Sequence, residues 1–314
     1  MDILIIGGTG FIGRRLVHLL HARGHVVTVM DTEPAPTSFA DLGERVRTIR
    51  GDVGSFTDVM AAMGDARPDR VVNLAYLIGS RHPPRAALHV NVLGMGHCFE
   101  AARILGVPHV VYAGSFAANG RQSHHGDRAV TEDDPVHPDD QYSRHKVMNE
   151  WQALDYIETH GMRITGIRTS YLTGADKVRG STHHVRCITE PALGRAVTLP
   201  FRDMMQCLMH VDDAAQVFAS VVLAEAPRHR IYNCGGLTVS LGELAAAVQR
   251  VLPGASIGFE HETGARAANS SFLIDNTRLA REFGVPARSL DGLVRQIIQE
   301  TQAAAGLPGR PHRR

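Results

Sequence analysis

Ile3-Leu4-Ile5-Ile6-Gly7-Gly8-Thr9-Gly10-Phe11-Ile12-Gly13 is the stretch whose reading decides the fold. A short apolar run ends in glycines at 7, 10 and 13, and a helical pattern follows. Strand, tight turn and helix in this order build a cradle for a dinucleotide pyrophosphate. A side chain at Gly7 or Gly10 would keep the backbone from the phosphates. One at Gly13 would push the helix off the strand. The helix N-terminus then offers free N–H groups to the anion. The competing reading is a glycine-rich turn that holds no ligand.

The rhythm continues outward. Apolar runs at 26–30, 45–50, 70–75, 109–113 and 163–168 read as strands. Between them, 11–23, 56–63, 86–106 and 142–160 read as helices. Strands separated by such helices predict an α/β fold with a doubly wound parallel sheet and right-handed crossovers. After Tyr171 the rhythm breaks, and 173–209 shows little periodicity. A helix over 211–225 and a strand over 230–234 follow, then Ser240 with Glu243 three residues on, a capping box. The run 254–260 is strand-like, and 277–283 and 290–305 are helical. The expected organisation is a dinucleotide-binding domain from 1–170 plus about 210–236. A smaller, discontinuous α/β substrate domain takes about 171–209 plus 237–308, and 309–314 is a disordered tail.

The 314 residues are 44% hydrophobic and 21% charged, with a formal net charge of +1, as in a globular protein with a full core. The only basic block is at the C-terminus, so nucleic acid is not the expected partner. No apolar run approaches the roughly 18 residues of a membrane span. The run at 3–6 passes straight into glycines and reads as a strand rather than a leader. Cys98, Cys187, Cys207 and Cys234 are far apart and form no ligand pair, which suits buried thiols in a reducing cytoplasm. Eighteen histidines include the pairs His124-His125 and His183-His184. Adjacent histidines diverge on helix or strand, so solvated loop histidines and no metal site are expected.

Five further positions carry chemistry. Asp31 ends the second strand, where a carboxylate would accept from both adenosine ribose hydroxyls and repel a 2′-phosphate; this favours NAD over NADP. Arg14 and Arg15 complicate that preference, and a plain turn aspartate is the alternative. Asp52, in Gly51-Asp52-Val53, could accept from an adenine amino group or simply shape a turn. Tyr142 and Lys146 lie four apart on one helix face. An ammonium there would lower the phenol pKa, so that tyrosine could pass a proton near neutral pH, and could also hold a nicotinamide ribose. Ser115 ends the strand before Tyr142, beyond which ligands bind in a parallel sheet; alternatively it is a cap or turn serine.

Together these pieces resemble the extended short-chain dehydrogenase/reductase superfamily, in its NAD-dependent epimerase/dehydratase family. The matching stretches are Gly7 to Gly13, Asp31, Gly51-Asp52-Val53, Asn73-Leu74-Ala75, Asn91-Val92-Leu93-Gly94, Ala113-Gly114-Ser115, Val130 to Pro135, Tyr142 to Lys146, His210-Val211-Asp212-Asp213 and Tyr232 to Gly236. The resemblance implies a Rossmann sheet and pyrophosphate held by Gly7, Gly10 and Gly13 with the backbone of Phe11 and Ile12. It implies the ribose on Asp31, the adenine on Asp52 and Val53, and a cleft lined by Leu74 and Ala75 with Asn91 close by. Tyr142 would be the general acid/base, Ser115 would polarise the substrate oxygen, and Lys146 would complete the catalytic set. It also implies a homodimer through the helices over 86–106 and 142–160.

The substrate side departs from the pattern. Sugar-nucleotide members carry an arginine where this chain has Gln206, and usually an asparagine where it has Thr169-Ser170-Tyr171. A neutral amide cannot replace the charge-assisted bonds of an arginine to a diphosphate. Arg179, Arg186, Arg202 or Arg266 could supply a cation from elsewhere, or lie in solvent. The loops 78–85 and 117–141 would shape the pocket. The leading expectation is an NAD-dependent oxidoreductase acting on a small or medium polar secondary alcohol or ketone. The alternatives are a sugar-nucleotide epimerase or dehydratase with NAD permanently bound, and a non-enzymatic dinucleotide sensor.

Overall fold

A computed structural model describes residues 1–34, 38–78, 82–264 and 270–307. Arg266, Gly79 and the 309–314 tail lie outside the described residues. In chain order the first half runs β1 (Asp2–Ile6), α1 (Phe11–Ala22), β2 (Val26–Asp31), β3 (Val46–Arg50), α2 (Phe56–Ala66), β4 (Arg70–Asn73), α3 (Pro84–Leu88), α4 (Gly94–Ile104), β5 (His109–Ser115), α5 (Gln141–His160) and β6 (Ile164–Thr169). The second half runs β7 (Tyr171–Thr173), α6 (His183–Ala192), β8 (Val197–Phe201), β9 (Met205–His210), α7 (Val211–Leu223), β10 (Ile231–Cys234), β11 (Leu237–Ser240), α8 (Leu241–Val251), β12 (Ile257–His261), α9 (Thr277–Phe283) and α10 (Leu290–Ala304).

Seven strands form one sheet in the order β10-β6-β5-β4-β1-β2-β3, every neighbouring pair parallel. β4 and β6 are buried at every residue, as parallel strands covered by helices on both faces must be. One apolar layer packs α1 and α7 on the sheet, through residues such as Leu16, Leu20, Val217 and Phe218. The opposite layer uses Val59, Phe99 and Ala153 from α2, α4 and α5. The chain starts on β1, winds to β3, then crosses back to β4 on the other side of β1. Ligands bind at such a reversal, outside the carboxyl ends of the strands.

A second core joins α6, α8 and α10 to β8 and β9, through Ile188, Leu199, Leu208, Leu244 and Ile297. It lies over two small sheets, β11-β9-β7 and β12-β8. Four of these elements fall where periodicity was weak: β7 has three residues, α6 contains Pro191, and β8 and β9 are short. The 86–106 stretch, read as one helix, is broken by a π-helical turn at His89–Leu93. The wide turn brings Asn91 inward, and it is buried. β4 stops at Asn73 rather than Ala75, because the Asn73 side-chain oxygen accepts the Ala75 N–H at 3.1 Å.

α5 is held at its start and along its length. Asp140 accepts the Ser143 N–H at 2.7 Å and Ser143 Oγ accepts the Asp140 N–H at 3.0 Å, a reciprocal cap. Farther along, Glu150 takes two bonds from Arg168 of β6, at 2.8 and 2.7 Å, and Arg168 donates a third to Asn119 Oδ1 at 3.0 Å. Both charges are buried. Removing one partner strands the other in a medium that cannot solvate it. Glu150→Gln is therefore expected to lose about 3–5 kcal/mol in urea unfolding, whereas a loss below about 1 kcal/mol would show the pair to be no stronger than a surface one.

Candidate active site

The glycine turn works by close approach. Gly7 has φ +80°, and a Cβ there would lie 2.7 Å from the Ala75 N. Its lack of a side chain lets the loop after β4 come close. Gly13 does what the sequence suggests: a Cβ would meet the Gly7 oxygen and Gly8 at 2.6 Å, so α1 could not reach the turn. Gly8 is a further requirement that the spacing did not show, since a Cβ would strike Val29 at 2.7 Å. At Gly10 a Cβ would find only the Gly7 carbonyl, at 3.2 Å, with open space beyond. α1 starts at Phe11 with no side-chain cap and no acidic residue in its first turn. Its first N–H groups, those of Phe11, Ile12 and Gly13 included, are left for an anion. An open cradle and an uncapped helix fit a dinucleotide pyrophosphate.

Asp31 is fixed against this turn. Its Oδ2 accepts the Thr9 N–H at 3.1 Å and the Thr9 hydroxyl at 2.6 Å, and its Oδ1 accepts the Thr32 N–H at 2.9 Å. Arg14 and Arg15 both turn to Asp176, at 2.5 and 2.6 Å, instead of toward Asp31. Asp52 is exposed and uses Oδ1 to accept the Gly54 N–H at 2.8 Å, shaping a turn, while Val53 is buried under Gly94. Across the cleft, Leu74 continues the pairing by donating to Ile6 O at 2.8 Å. Asn91 holds the loop after β4 from both sides, accepting the Leu77 N–H at 2.8 Å and donating to its carbonyl at 3.1 Å.

Ser115, Tyr142 and Lys146 converge from the end of β5 and the first turns of α5. Ser115 is buried, and its Oγ accepts the Ala117 N–H at 3.2 Å, so it also caps the following turn. Burial pushes the Tyr142 phenol up to about 12, partly offset by the nearby Ser115 hydroxyl. Burial pushes the Lys146 ammonium down to about 7. Its Nζ donates to Ala113 O at 2.7 Å and lies 5.6 Å from the Tyr142 ring centroid. The phenol is therefore raised rather than lowered in the free protein: desolvation dominates, and the ammonium is turned toward the end of β5.

Gln206 stands where the family resemblance expects an arginine. Gln206 is 1% exposed; its Nε2 donates to Met205 O at 2.9 Å, and its side chain also meets buried His184. Arg179 and Arg186 are exposed, and Arg202 pairs with Glu262 at 2.6 Å. The sequence reading passed over Lys177, whose Nζ donates to Leu172 O at 2.6 Å and is pushed down to about 8 by burial. It also placed His125 and His184 in solvent. Both are buried: His125 Nε2 meets Asn119 O at 2.8 Å and His184 Nε2 meets Leu172 O at 3.1 Å. Among the described residues, His210, Asp212 and Glu300 form the one group of potential metal donors. Gln296 bonds both carboxylates, at 3.0 and 2.8 Å.

A doubly wound sheet with this cradle at its reversal point defines a dinucleotide-binding α/β enzyme class. The chain belongs to the NAD dependent epimerase/dehydratase family, whose pattern matches residues 3–235. It is thus an NAD-dependent enzyme of the extended short-chain dehydrogenase/reductase type. It is 26% identical over 253 residues to a UDP-glucose 4-epimerase of Corynebacterium glutamicum, covering 75% of each chain. Its fold is similar to the UDP-glucose 4-epimerase of Thermus thermophilus, solved with NAD, at a TM-score of 0.83 and 22% identity over 97% of this chain and all of that one. It is equally similar to an L-threonine dehydrogenase from Clostridium difficile, with a TM-score of 0.85 and 20% identity over 96% and 98% of the two chains.

With Asp31 anchored and both nearby arginines engaged elsewhere, NADH is expected to bind at least about tenfold more tightly than NADPH, or roughly 1.4 kcal/mol, in a fluorescence titration. Tighter binding of NADPH would contradict the assignment of Asp31.

Proposed function

We propose that this chain is an NAD-dependent oxidoreductase that interconverts a secondary alcohol and a ketone on a small or medium polar substrate and releases the reduced or oxidised cofactor. The observation that carries the reading is buried Gln206. A neutral amide there, hydrogen-bonded to Met205 O and to buried His184, offers no positive charge to a diphosphate. Gly7, Gly10, Gly13, the backbone of Phe11 and Ile12, Asp31, Asp52, Val53, Leu74, Ala75 and Asn91 would line the cofactor site. When bound, the nicotinamide supplies or accepts hydride at its C4. Lys146 would hold its ribose. Tyr142 would give or take the proton at the substrate oxygen, and Ser115 would polarise that oxygen.

The second reading, epimerisation or dehydration of a sugar nucleotide, draws on the Corynebacterium glutamicum relative. Supplied with excess NAD and a panel of small polar secondary alcohols, the protein is expected to accumulate NADH. Interconversion of UDP-sugar epimers without net NADH would overturn the leading reading. Tyr142→Phe is expected to lower turnover by about 10²–10⁴-fold with NAD binding retained; unchanged turnover would remove Tyr142 as the acid/base.

The raised phenol also sets a pH dependence. With a pKa of about 12, Tyr142 is protonated at neutral pH, ready to donate to a ketone but not to accept from an alcohol. Initial rates of alcohol oxidation should rise with pH above neutrality, and ketone reduction should not. An oxidation rate independent of pH over that range would argue against Tyr142 as the base.

We further propose that the molecule is a cytoplasmic homodimer. The buried free cysteines Cys98, Cys187, Cys207 and Cys234 suit a reducing compartment. Leu88, Leu93, Met148 and Trp151 expose large apolar surface on α3, the π-helical turn and α5, and Trp151 is 60% exposed. A second copy packed on these helices would cover them. Trp151→Asp is expected to shift the mass in solution from dimer to monomer by light scattering. A monomeric wild-type protein would refute the dimer.

A further inference from the structure

Tyr76 has no part in the roles assigned above, yet it touches two residues that do. Its ring centroid lies 3.5 Å from Lys146 Nζ. The ring meets that of Tyr142 edge-on at 5.3 Å, and its hydroxyl donates to Tyr142 O at 3.4 Å. Lys146 has the Ala113 carbonyl and the face of Tyr76 against its ammonium, with the Glu150 carboxylate also favouring its charge. An aromatic face holds an ammonium through its quadrupole, most strongly where water is excluded. The backbone beneath the ring is fixed, because Asn91 binds both polar groups of Leu77. The ring itself is half-buried, with part of its surface in solvent.

We propose that Tyr76 is a positioning residue for Lys146: its ring caps the ammonium in the free protein and is displaced when the cofactor ribose takes the same donor. The proposal rests on the reading of Lys146 as the ribose-holding residue. A ring at 3.5 Å fills the approach that a ribose hydroxyl, needing about 2.9 Å from the nitrogen, would use. Binding therefore breaks the contact between ring and cation before the new bonds form. The cap weakens cofactor affinity and keeps the cofactor exchangeable. A dehydrogenase needs that exchange at every turnover. An enzyme that recycles its cofactor in place does not.

The test is the NAD dissociation constant, by calorimetric titration, of wild type, Tyr76→Phe, Tyr76→Leu, Tyr76→Ala and Lys146→Ala. Losing the aromatic face should tighten NAD binding about tenfold in Tyr76→Ala and Tyr76→Leu, while Tyr76→Phe stays within about twofold of wild type. Leu fills the space, so its result stands if Ala loosens the fold. A merely structural role would weaken binding in the truncated variants and could not tighten it. Binding by Tyr76→Ala and Tyr76→Leu that is no tighter than wild type, with Lys146→Ala losing affinity, overturns the cap alone. Undiminished affinity in Lys146→Ala overturns the ribose reading beneath it.

Discussion

The structure depends on how closely a helix and a loop can approach the end of one strand. At Gly7, Gly8 and Gly13 the space for a Cβ is already taken by backbone or by Val29, at distances of 2.6–2.7 Å. Real side chains do not fit at such distances, and forcing one in moves backbone on both sides. α1 therefore sits against the turn, its uncapped N-terminus pointing over the end of β1. The loop after β4 sits against the other side. The cleft between them is a consequence of these contacts, and Asp31 is tied into it through Thr9.

A second constraint holds the chemistry in place. Arg168 joins β6 to α5 through Glu150 and to the turn after Ser115 through Asn119. Ser115, Tyr142 and Lys146 are carried by elements that this buried pair locks together. Desolvation then acts on the two titratable groups in opposite directions, raising the phenol and lowering the ammonium. Each is pushed toward its neutral form, and Lys146, pushed down to about 7, is still partly an ammonium at neutral pH. Lys146 finds partial compensation in a carbonyl, an aromatic face and the Glu150 carboxylate.

Much of this was legible in the sequence where a local pattern has one physical cause. The strand-turn-helix at the N-terminus, the alternation through β6 and the capping box at Ser240 are all of that kind. The second half was harder. A three-residue strand has too few positions to alternate, and α6 carries a proline and two histidines. Gly8 was missed because its neighbour, Val29, belongs to another strand. The pairing of Arg14 and Arg15 with Asp176 spans more than 160 residues, so no spacing announces it. The helix over 142–160 placed Tyr142 and Lys146 on one face, but the ammonium meets the Ala113 carbonyl and the Tyr76 ring, both from other elements.

The substrate side gives the account its functional direction. The proposed function rests on Gln206, a buried neutral amide at the position where the family resemblance expects a diphosphate-binding arginine, and on the arginines named as substitutes being exposed, paired or outside the described residues. The most direct measurement is to denature freshly purified protein and quantify the NAD released per protomer, alongside UDP-glucose binding to the intact protein. The account predicts substoichiometric NAD and no tight UDP-glucose binding. One NAD per protomer together with tight UDP-glucose binding would contradict it.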